Sequence, residues 1–263
     1  MDRKSEKELQ ESFPWQRSKF HSEYNRVLAE YKVKSCLENA VGDSLLDIAC
    51  GDGMLTELFA RHFNTVVGVD ASSVHLSEAR KRIPSATFYE SLIEAFECEC
   101  RFDSVFVLDL LEHVQDPVAV LKKASSFLTS EGRLVVHVPN CEAVNRKIAV
   151  KMGTLTRCEE LSPFDIEIAG HRRSYDLQSL RREIETAGLK VTKTGGIFYK
   201  MLSTPQMDWF LKNGLWDAGH GWGRNGMETA KDWKAEFCRA CYEYGLSHPE
   251  DCNIIFACIE RRS

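Results

Sequence analysis

Residues 45–53 decide the fold, and they read Leu45-Leu46-Asp47-Ile48-Ala49-Cys50-Gly51-Asp52-Gly53. The apolar first half predicts a strand that starts at Ser44, and the two glycines predict a tight turn before a helix. A strand, a glycine turn and a helix in this order are typical of the first unit of a parallel α/β sheet, where the turn lets the backbone approach a ligand closely. The stretch therefore predicts a ligand-binding α/β domain.

The rest of the chain continues the alternation of strand and helix. Strands are predicted at residues 44–48, 65–70, 86–89, 102–108, 132–138, 189–194 and 253–259. Helices are predicted at residues 23–37, at 73–82, after Asp116-Pro117, and between Asp176 and Gly188. Such alternation predicts a doubly wound, mostly parallel sheet.

The spacing of these elements predicts three regions. Residues 1–43 form an amino-terminal helical segment, and residues 44–198 form the core, which residues 248–263 complete. Residues 199–247 are too long for a tight connection and contain four of the five tryptophans, so they predict an inserted lid or dimer contact, with a glycine-rich bend between two helical pieces. Those tryptophans are Trp209, Trp216, Trp222 and Trp233.

Composition narrows the class of protein. Of the 263 residues 43% are hydrophobic and 28% are charged, with a net charge of −5, which favours a globular enzyme without a nucleic-acid partner. No apolar run is long enough to cross a membrane and the amino terminus does not resemble a signal peptide, so we expect a cytoplasmic location. The ten cysteines are scattered, and we expect reduced thiols rather than disulfides or a zinc site.

Three side chains near the glycine turn select among nucleotide-like ligands. Thr56 stands where a dinucleotide fold would place a third glycine or an alanine. Asp47 would repel a pyrophosphate but can accept hydrogen bonds from a cationic amino acid group. Asp70, at the end of the second strand, can accept the hydroxyls of an adenosine ribose. Together they favour a zwitterionic sulfonium cofactor.

Residues 45–53, together with residues 67–72, resemble the first two motifs of class I S-adenosylmethionine-dependent methyltransferases. Three further segments follow in family order, at residues 102–103, 111–117 and 128–134. The resemblance implies a Rossmann-like sheet of seven strands with the last strand antiparallel. It also implies S-adenosylmethionine as the cofactor and S-adenosylhomocysteine as its product.

The resemblance implies roles for ten cofactor-binding residues. Asp47 supports the ammonium group, and Gly51 and Gly53 reach the methionine portion. Asp70 holds the ribose, and Ala71, Ser91 and Leu92 surround the adenine. Asp109 and Leu110 border the sulfonium. The full set is Asp47, Ala49, Gly51, Gly53, Asp70, Ala71, Ser91, Leu92, Asp109 and Leu110.

Candidate catalytic residues follow the fourth strand. Asp109, Glu112 and His113 stand at helical spacing, which predicts a carboxylate and an imidazole on one helix face pointing to the cofactor cleft. With a later histidine, His171, the pattern resembles the Glu-x-x-Glu-His element of ubiquinone-pathway O-methyltransferases and small-RNA terminal 2′-O-methyltransferases, which binds a divalent metal. Because Asp109 is one methylene shorter than the family acid, we favour no metal, with Glu112, His113 and His171 as the catalytic residues. The alternative is that Glu112 and His113 only cap the following loop.

Neighbouring residues receive structural interpretations. His137 lies within an apolar strand and is expected to be a core residue with its polar atoms satisfied. Arg172, Arg173 and Tyr175 are read either as a solvated loop or as a wall that binds an acidic group of the substrate, and Asp176 as a helix cap.

The sequence thus predicts a methyltransferase for a small-molecule acceptor, with oxygen favoured over nitrogen because a carboxylate and histidines adjoin the transfer point. Three alternatives stay open: a metal-dependent RNA-terminal 2′-O-methyltransferase, an NAD-dependent oxidoreductase and a non-catalytic S-adenosylmethionine-binding regulator. A homodimer is compatible with the insertion.

Overall fold

A computed structural model describes residues 22–214, 216 and 232–261 of the chain. Seven strands within these ranges form one sheet. They are β1 (Ser44–Ile48), β2 (Thr65–Asp70), β3 (Thr87–Glu90), β4 (Phe102–Leu108), β5 (Leu128–Pro139), β6 (Leu189–Tyr199) and β7 (Cys252–Arg261). Their order across the sheet is β3-β2-β1-β4-β5-β7-β6.

Eight α-helices of the described ranges surround the sheet. They are α1 (Glu23–Asn39), α2 (Met54–Phe59), α3 (Ser73–Arg82), α4 (Pro117–Ser126), α5 (Val144–Lys151), α6 (Leu177–Thr186), α7 (Thr204–Asn213) and α8 (Trp233–Ser247). A short π-helical turn, Phe164–Ile168, lies between α5 and α6. In the part of the chain that the structure describes, no helix combines the length and the apolar character needed to cross a membrane.

The pairing of the strands confirms a Rossmann-like doubly wound sheet. Strands β3, β2, β1, β4 and β5 pair in parallel, and β7 runs antiparallel to both β5 and β6. Because β6 reverses β7, it runs in the same direction as β5. The carboxyl ends of β1, β2, β4, β5 and β6 therefore meet at one edge, and the order reverses between β1 and β4, where such sheets bind their ligands.

Strand β4 shows why the sheet is buried on both faces. Val105 and Val107 contact one apolar cluster, which α4 and α6 cover, whereas Phe106 and Leu108 contact a second cluster with α1 and α2. Side chains of a strand alternate between faces, so a continuous apolar run is what a strand covered on both sides requires.

Helix α1 also packs against the predicted insertion. Tyr24 and Leu28 share an apolar cluster with Ile197 of β6, Met207 of α7 and Tyr242 of α8. The amino-terminal segment and the insertion thus cover the β6 end of the sheet together.

The boundaries of several elements differ from the predictions. Strand β5 starts at Leu128, four residues before the predicted start, and β6 continues to Tyr199, five residues beyond the predicted end. In β5, Leu128 pairs with Phe102 and the register then shifts before Arg133 pairs with Ser104. In β6, Gly195, Gly196, Ile197 and Tyr199 pair with β7. The two predicted helical pieces of the insertion are α7 and α8; Trp209 is 65% exposed, and the glycine-rich bend with Trp222 lies outside the described residues.

Candidate active site

The loop after β1 folds through three residues with left-handed backbone. Ala49, Gly51 and Gly53 have φ values of 58°, 57° and 77°. A β-carbon added at Gly51 would meet no atom within 4 Å, so this residue presents bare backbone to open space. The Gly51 amide donates a hydrogen bond of 2.9 Å to Asp70 Oδ2, which fixes the loop against the end of β2.

Gly53 has a different neighbour. It is the N-cap of α2, and a β-carbon there would lie 3.1 Å from Cβ of Ala79 on α3. Glycine is therefore required at residue 53 both for its backbone angle and for the close contact between the loop and α3.

Asp47 lies beneath this loop with 3% of its surface exposed. Thr56 Oγ1 donates a 2.6 Å hydrogen bond to Asp47 Oδ2. Burial raises the pKa of Asp47 to about 7, and the bond from Thr56 opposes that rise. Asp47 is thus close to the balance between its neutral and charged forms at neutral pH, and a bound cation would favour the charged form.

Asp70, at the end of β2, and the residues after β3 lie where the sequence predicts the nucleoside to bind. Asp70 Oδ1 accepts a 2.9 Å hydrogen bond from the Ser72 amide, and the Ser91 amide donates to the Asp70 carbonyl at 3.0 Å. Ala71 and Leu92 follow these anchor points directly in the chain. We call residues 47–56 and 70–92 the cofactor side.

Asp109 departs from the sequence prediction. The prediction that Asp109, Glu112 and His113 occupy successive positions of one helix is wrong, because Asp109 has a φ of 51° and the chain then makes a turn that the His113 amide closes onto Leu110 O at 2.9 Å. Asp109 Oδ2 instead accepts a hydrogen bond from Nζ of Lys32, on α1. Burial alone would raise the pKa of Asp109, but the Lys32 ammonium outweighs it and holds that pKa below its ordinary value.

Glu112, His113 and His171 come together despite the turn. One ligand atom from each lies within 4.8 Å of the others, and the two imidazole rings meet edge to face at a centroid distance of 4.9 Å. The Arg172 amide donates to Glu112 O at 2.8 Å, and His113 Nδ1 lies 3.3 Å from Gly170 O. These backbone contacts bring the segment around His171 to the loop after β4.

His171 is held in turn by the π-helical turn. Its amide donates to Asp165 O at 2.7 Å, and its Nδ1 lies 3.8 Å from Asp165 Oδ1. Asp165 Oδ2 also accepts hydrogen bonds from Ser162 at 2.8 Å and from Arg146 at 3.2 Å. We call residues 109–113, residues 146–171 and Lys200 the acceptor side.

Burial sets the protonation states in this cluster. Glu112 is 1% exposed, and burial, followed by the charge of Asp109, raises its pKa well above the ordinary value. Burial lowers the pKa of His113 to about 4, with His171 acting in the same direction, and burial also lowers the pKa of His171. At neutral pH the two imidazoles are therefore neutral and can accept protons or ligate a metal ion, and burial disfavours the charged form of Glu112.

The neighbouring arginine and tyrosine have structural contacts. The Arg173 guanidinium donates to the carbonyls of Leu111 and Val114 at 2.7 and 2.6 Å. Tyr175 is buried, and its hydroxyl donates to Glu183 at 2.6 Å. Both side chains therefore bind the protein itself. The solvated-loop interpretation is wrong for Tyr175, which is buried, whereas Asp176 caps α6 as predicted.

His137 is buried as predicted, but its polar atoms are not all satisfied. Nε2 lies 3.6 Å from Cys36 Sγ, and Nδ1 has no hydrogen-bond partner among the described residues. Burial, reinforced by Lys32, lowers its pKa to about 3, so the ring is neutral.

Sequence reasoning missed Lys32, Thr56 and Asp165. For Lys32 a signal existed, because Tyr24, Leu28 and Cys36 stand at steps of four with it and all four are buried, which puts a lysine in an apolar helix face. For Thr56 the signal was read only as a missing glycine. Asp165 lies in a segment without a regular pattern and carried none.

Comparisons with known proteins agree with this geometry. A family described as "Methyltransferase domain" matches residues 20–194. The chain is 27% identical over 205 residues to a trans-aconitate 2-methyltransferase of Enterobacter sp. (strain 638), covering 74% of this chain and 76% of that protein. It is 33% identical over 113 residues to a ubiquinone biosynthesis O-methyltransferase of Rhodopseudomonas palustris (strain TIE-1), covering 41% of this chain and only 44% of that protein.

A solved structure extends the likeness over nearly the whole fold. The N-methyltransferase NodS from Bradyrhizobium japonicum WM9, in complex with S-adenosyl-l-homocysteine, superposes with a TM-score of 0.54 at 13% identity and covers 98% of this chain and 96% of that one. This likeness concerns the fold. Because the family match covers more than half of the sequence, the chain belongs to the methyltransferase domain family and is an S-adenosylmethionine-dependent methyltransferase.

Proposed function

We propose that the chain methylates a hydroxyl oxygen of a small-molecule acceptor. The observation that carries the proposal is the meeting of Glu112, His113 and His171 at the edge of the sheet where ligands of this fold bind. An oxygen acceptor needs a group that takes its proton more than an amine does, and two neutral imidazoles are available here. Relatives named for trans-aconitate and for ubiquinone biosynthesis support a small organic acceptor.

The residues of the cofactor side bind and orient the donor in this proposal. Gly51 and Ala49 expose backbone to the methionine portion, Asp47 receives its ammonium group, and Asp70 receives the ribose. Gly53, Ala71, Ser91 and Leu92 shape the rest of the pocket. From the acceptor side, Asp109 and Leu110 border the sulfonium. When bound, S-adenosylmethionine supplies an electrophilic methyl group.

The residues of the acceptor side align the hydroxyl and take its proton. As the acceptor oxygen forms its bond to the methyl carbon and the carbon–sulfur bond breaks, His113 accepts the hydroxyl proton at its imidazole. His171 packs edge to face against His113 and limits its rotation. Glu112 lies beside the proton acceptor, with its Oε1 3.7 Å from His113 Nε2, so a bound acceptor can complete its oxygens next to the developing imidazolium.

The choice of oxygen is tested with matched acceptors. Hydroxylated aromatic and aliphatic compounds are offered beside their amine analogues and their methyl ethers, and formation of S-adenosylhomocysteine is measured. We expect product from hydroxyl compounds and none from the ethers. Turnover of amines without turnover of any alcohol or phenol would overturn oxygen as the acceptor atom.

A divalent metal ion is the second candidate, and one observation favours it. Both carboxylate oxygens of Glu112 are buried and have no hydrogen-bond partner among the described residues, which is unusual unless a ligand completes them. One carboxylate and two imidazoles are a donor set that first-row metals accept, so these residues fit. Glu112, His113 and His171 would hold the ion, which would supply Lewis acidity toward the acceptor hydroxyl.

Calorimetric titration with Mn²⁺ and Zn²⁺ separates the two candidates. With a metal site, the wild type binds one ion and both Glu112→Gln and His171→Ala lose that binding, whereas Glu142→Gln, in a carboxylate outside the cluster, keeps it. Full turnover in the presence of a chelator would exclude the metal candidate and leave the imidazole as the proton acceptor.

A further inference from the structure

Lys200 is a buried lysine at the edge of the sheet where the active site lies. It directly follows β6, whose carboxyl end lies at the same edge as those of β1 and β4, and it is 6% exposed. Its Nζ donates a 2.8 Å hydrogen bond to Thr204 Oγ1 and lies 4.9 Å from the centre of the Tyr24 ring. Among the described residues, no carboxylate forms an ion pair with it.

The backbone that places Lys200 is strained. Phe198, two residues earlier, has a φ of 65°, a value that costs a non-glycine residue about 1 kcal/mol or more. Its ring packs edge to face against Tyr24 at 5.6 Å, and the same Tyr24 ring underlies the Lys200 ammonium. Strand β6 and helix α1 therefore hold this amine in a defined place.

Positive charge exceeds negative charge around Lys200. Among the described residues, the charge of Arg146 lowers the pKa of Lys200 and the charge of Asp165 raises it. Asp165 already binds Arg146 at 3.2 Å and accepts two hydrogen bonds from Ser162, so its charge is balanced without Lys200. Burial, with the charge of Arg146, lowers the pKa of Lys200 to about 8.

The start of α7 adds to the positive charge around Lys200. Thr204 is the first residue of that helix, and the first turn of a helix carries partial positive charge on its free amides. A buried ammonium beside a helix start is costly unless an anion joins it.

We propose that Lys200 binds a carboxylate of the methyl acceptor, so that the acceptor is a small organic acid. The inference rests on the proposed function and names its substrate class. Asp165 links the surroundings of Lys200 to His171, since it lies 3.8 Å from His171 Nδ1 and within electrostatic range of the lysine. A carboxylate held by Lys200 thus places the rest of the acceptor on the side of the Glu112-His113-His171 cluster.

The test follows the amine itself in the wild-type protein saturated with S-adenosylhomocysteine. Lysines are labelled with ¹³C at Cε, the Lys200 signal is assigned by its absence in Lys200→Arg, and its pKa is measured by NMR. Acetate, benzoate and citrate are compared with their neutral amides. We expect at least one carboxylate to raise the pKa of Lys200 by about one unit, a tenfold linkage, and its amide to leave the pKa unchanged.

Binding of the same carboxylate is then compared in two lysine variants. Lys200→Met should weaken it at least tenfold. Lys193→Met is the matched control from the same strand, where the amine is held by Asn39 at 2.8 Å and lies over the Phe256 ring, and it should bind the carboxylate as the wild type does. Both variants should bind S-adenosylhomocysteine like the wild type.

Three results would contradict the proposed carboxylate site. If no carboxylate moves the Lys200 pKa, if the amides move it equally, or if Lys193→Met weakens binding as much as Lys200→Met, the carboxylate site is wrong. The pKa itself is measured in the wild type, and Lys200→Arg serves only to assign the signal. Loss of S-adenosylhomocysteine binding in the wild type would overturn the proposed function, whereas intact binding with no carboxylate effect overturns only the role of Lys200.

Discussion

The cofactor side and the acceptor side share one edge of the sheet but are assembled over different distances along the chain. On the cofactor side, Asp47 and Thr56 are 9 residues apart, and Gly51 and Asp70 are 19 apart. On the acceptor side, His113 and Gly170 are 57 residues apart, and Lys32 and Asp109 are 77 apart. Local motifs can therefore specify the proposed donor site, whereas the proposed acceptor site depends on contacts between distant segments.

The largest expected effect comes from a substitution on the acceptor side, which should leave the cofactor side unchanged. His113→Ala should lower kcat by about 10²- to 10⁴-fold, because the proton acceptor of the proposed reaction is lost. Turnover is measured as S-adenosylhomocysteine formation, and binding of S-adenosylhomocysteine is measured separately. An equal loss of affinity for S-adenosylhomocysteine would show that the two sides are not independent.

The second expected effect comes from a substitution on the cofactor side. Gly51→Val should weaken S-adenosylhomocysteine binding by about tenfold or more, because the added side chain enters open space where bare backbone faces the cleft. The free energy of unfolding should fall by only about 1–2 kcal/mol, the cost of a left-handed backbone at a non-glycine residue. Calorimetry and chemical denaturation measure the two quantities.

Gly53→Val is the control for that variant. Its β-carbon collides with Ala79, so it should lower the free energy of unfolding more than Gly51→Val does. If Gly51→Val bound S-adenosylhomocysteine normally, the assignment of the open face of the loop to the cofactor would be wrong.

The third effect concerns the ion pair that connects α1 to the acceptor side. Lys32→Met leaves Asp109 without its cation and should lower the free energy of unfolding by about 2 kcal/mol, at the low end for a buried pair because the Asp109 side chain is partly exposed. Adding Asp109→Asn should restore much of the loss, and thermal and urea unfolding measure both. Lys34→Met removes an exposed pair on the same helix and should cost less than about 0.5 kcal/mol. An Asp109→Asn change that restores nothing would contradict the pairing.

A pH dependence is expected on the cofactor side. The pKa of Asp47 is raised by burial to about 7, so the folded protein keeps this proton at pH values where the unfolded chain has lost it. The stabilisation is complete below the ordinary pKa of an aspartic acid and is lost as the pH rises toward about 7. Relative to Asp47→Asn, the wild type should lose up to about 4 kcal/mol of unfolding free energy across that interval, measured by urea denaturation, because each unit of pKa corresponds to about 1.4 kcal/mol.

The comparison with Asp47→Asn is needed because other groups titrate in the same interval. The lowered pKa values of His113 and His171 act with the opposite sign, since the unfolded chain binds their protons as the pH falls. Identical pH profiles for wild type and Asp47→Asn would show that Asp47 is ionised throughout.

The sequence predicted the central sheet well for a physical reason. β1, β2 and β4 begin and end at the predicted residues, because dense apolar runs between turn residues leave one arrangement. The turn at Asp109 was predicted as a helix, since spacing alone does not reveal a left-handed φ. The proposed roles of Lys200 and Asp165 depend also on Tyr24 and Arg146, which lie far away in the chain, and no local pattern marks such residues.

Three residues other than glycine carry a left-handed backbone in the described part of the chain: Ala49, Asp109 and Phe198. Each lies at or just beyond the carboxyl end of a strand, β1, β4 and β6, at the edge where donor and acceptor are proposed to bind. For protein engineering this sets a practical rule. Replacing these residues by glycine would relieve the backbone strain and is the obvious route to a more heat-resistant enzyme. Each replacement would, however, change the path of the chain that positions Gly51, His113 or Lys200. Substitutions that raise thermal stability are better placed on the outer faces of α3 and α8, because they leave the three left-handed residues unchanged.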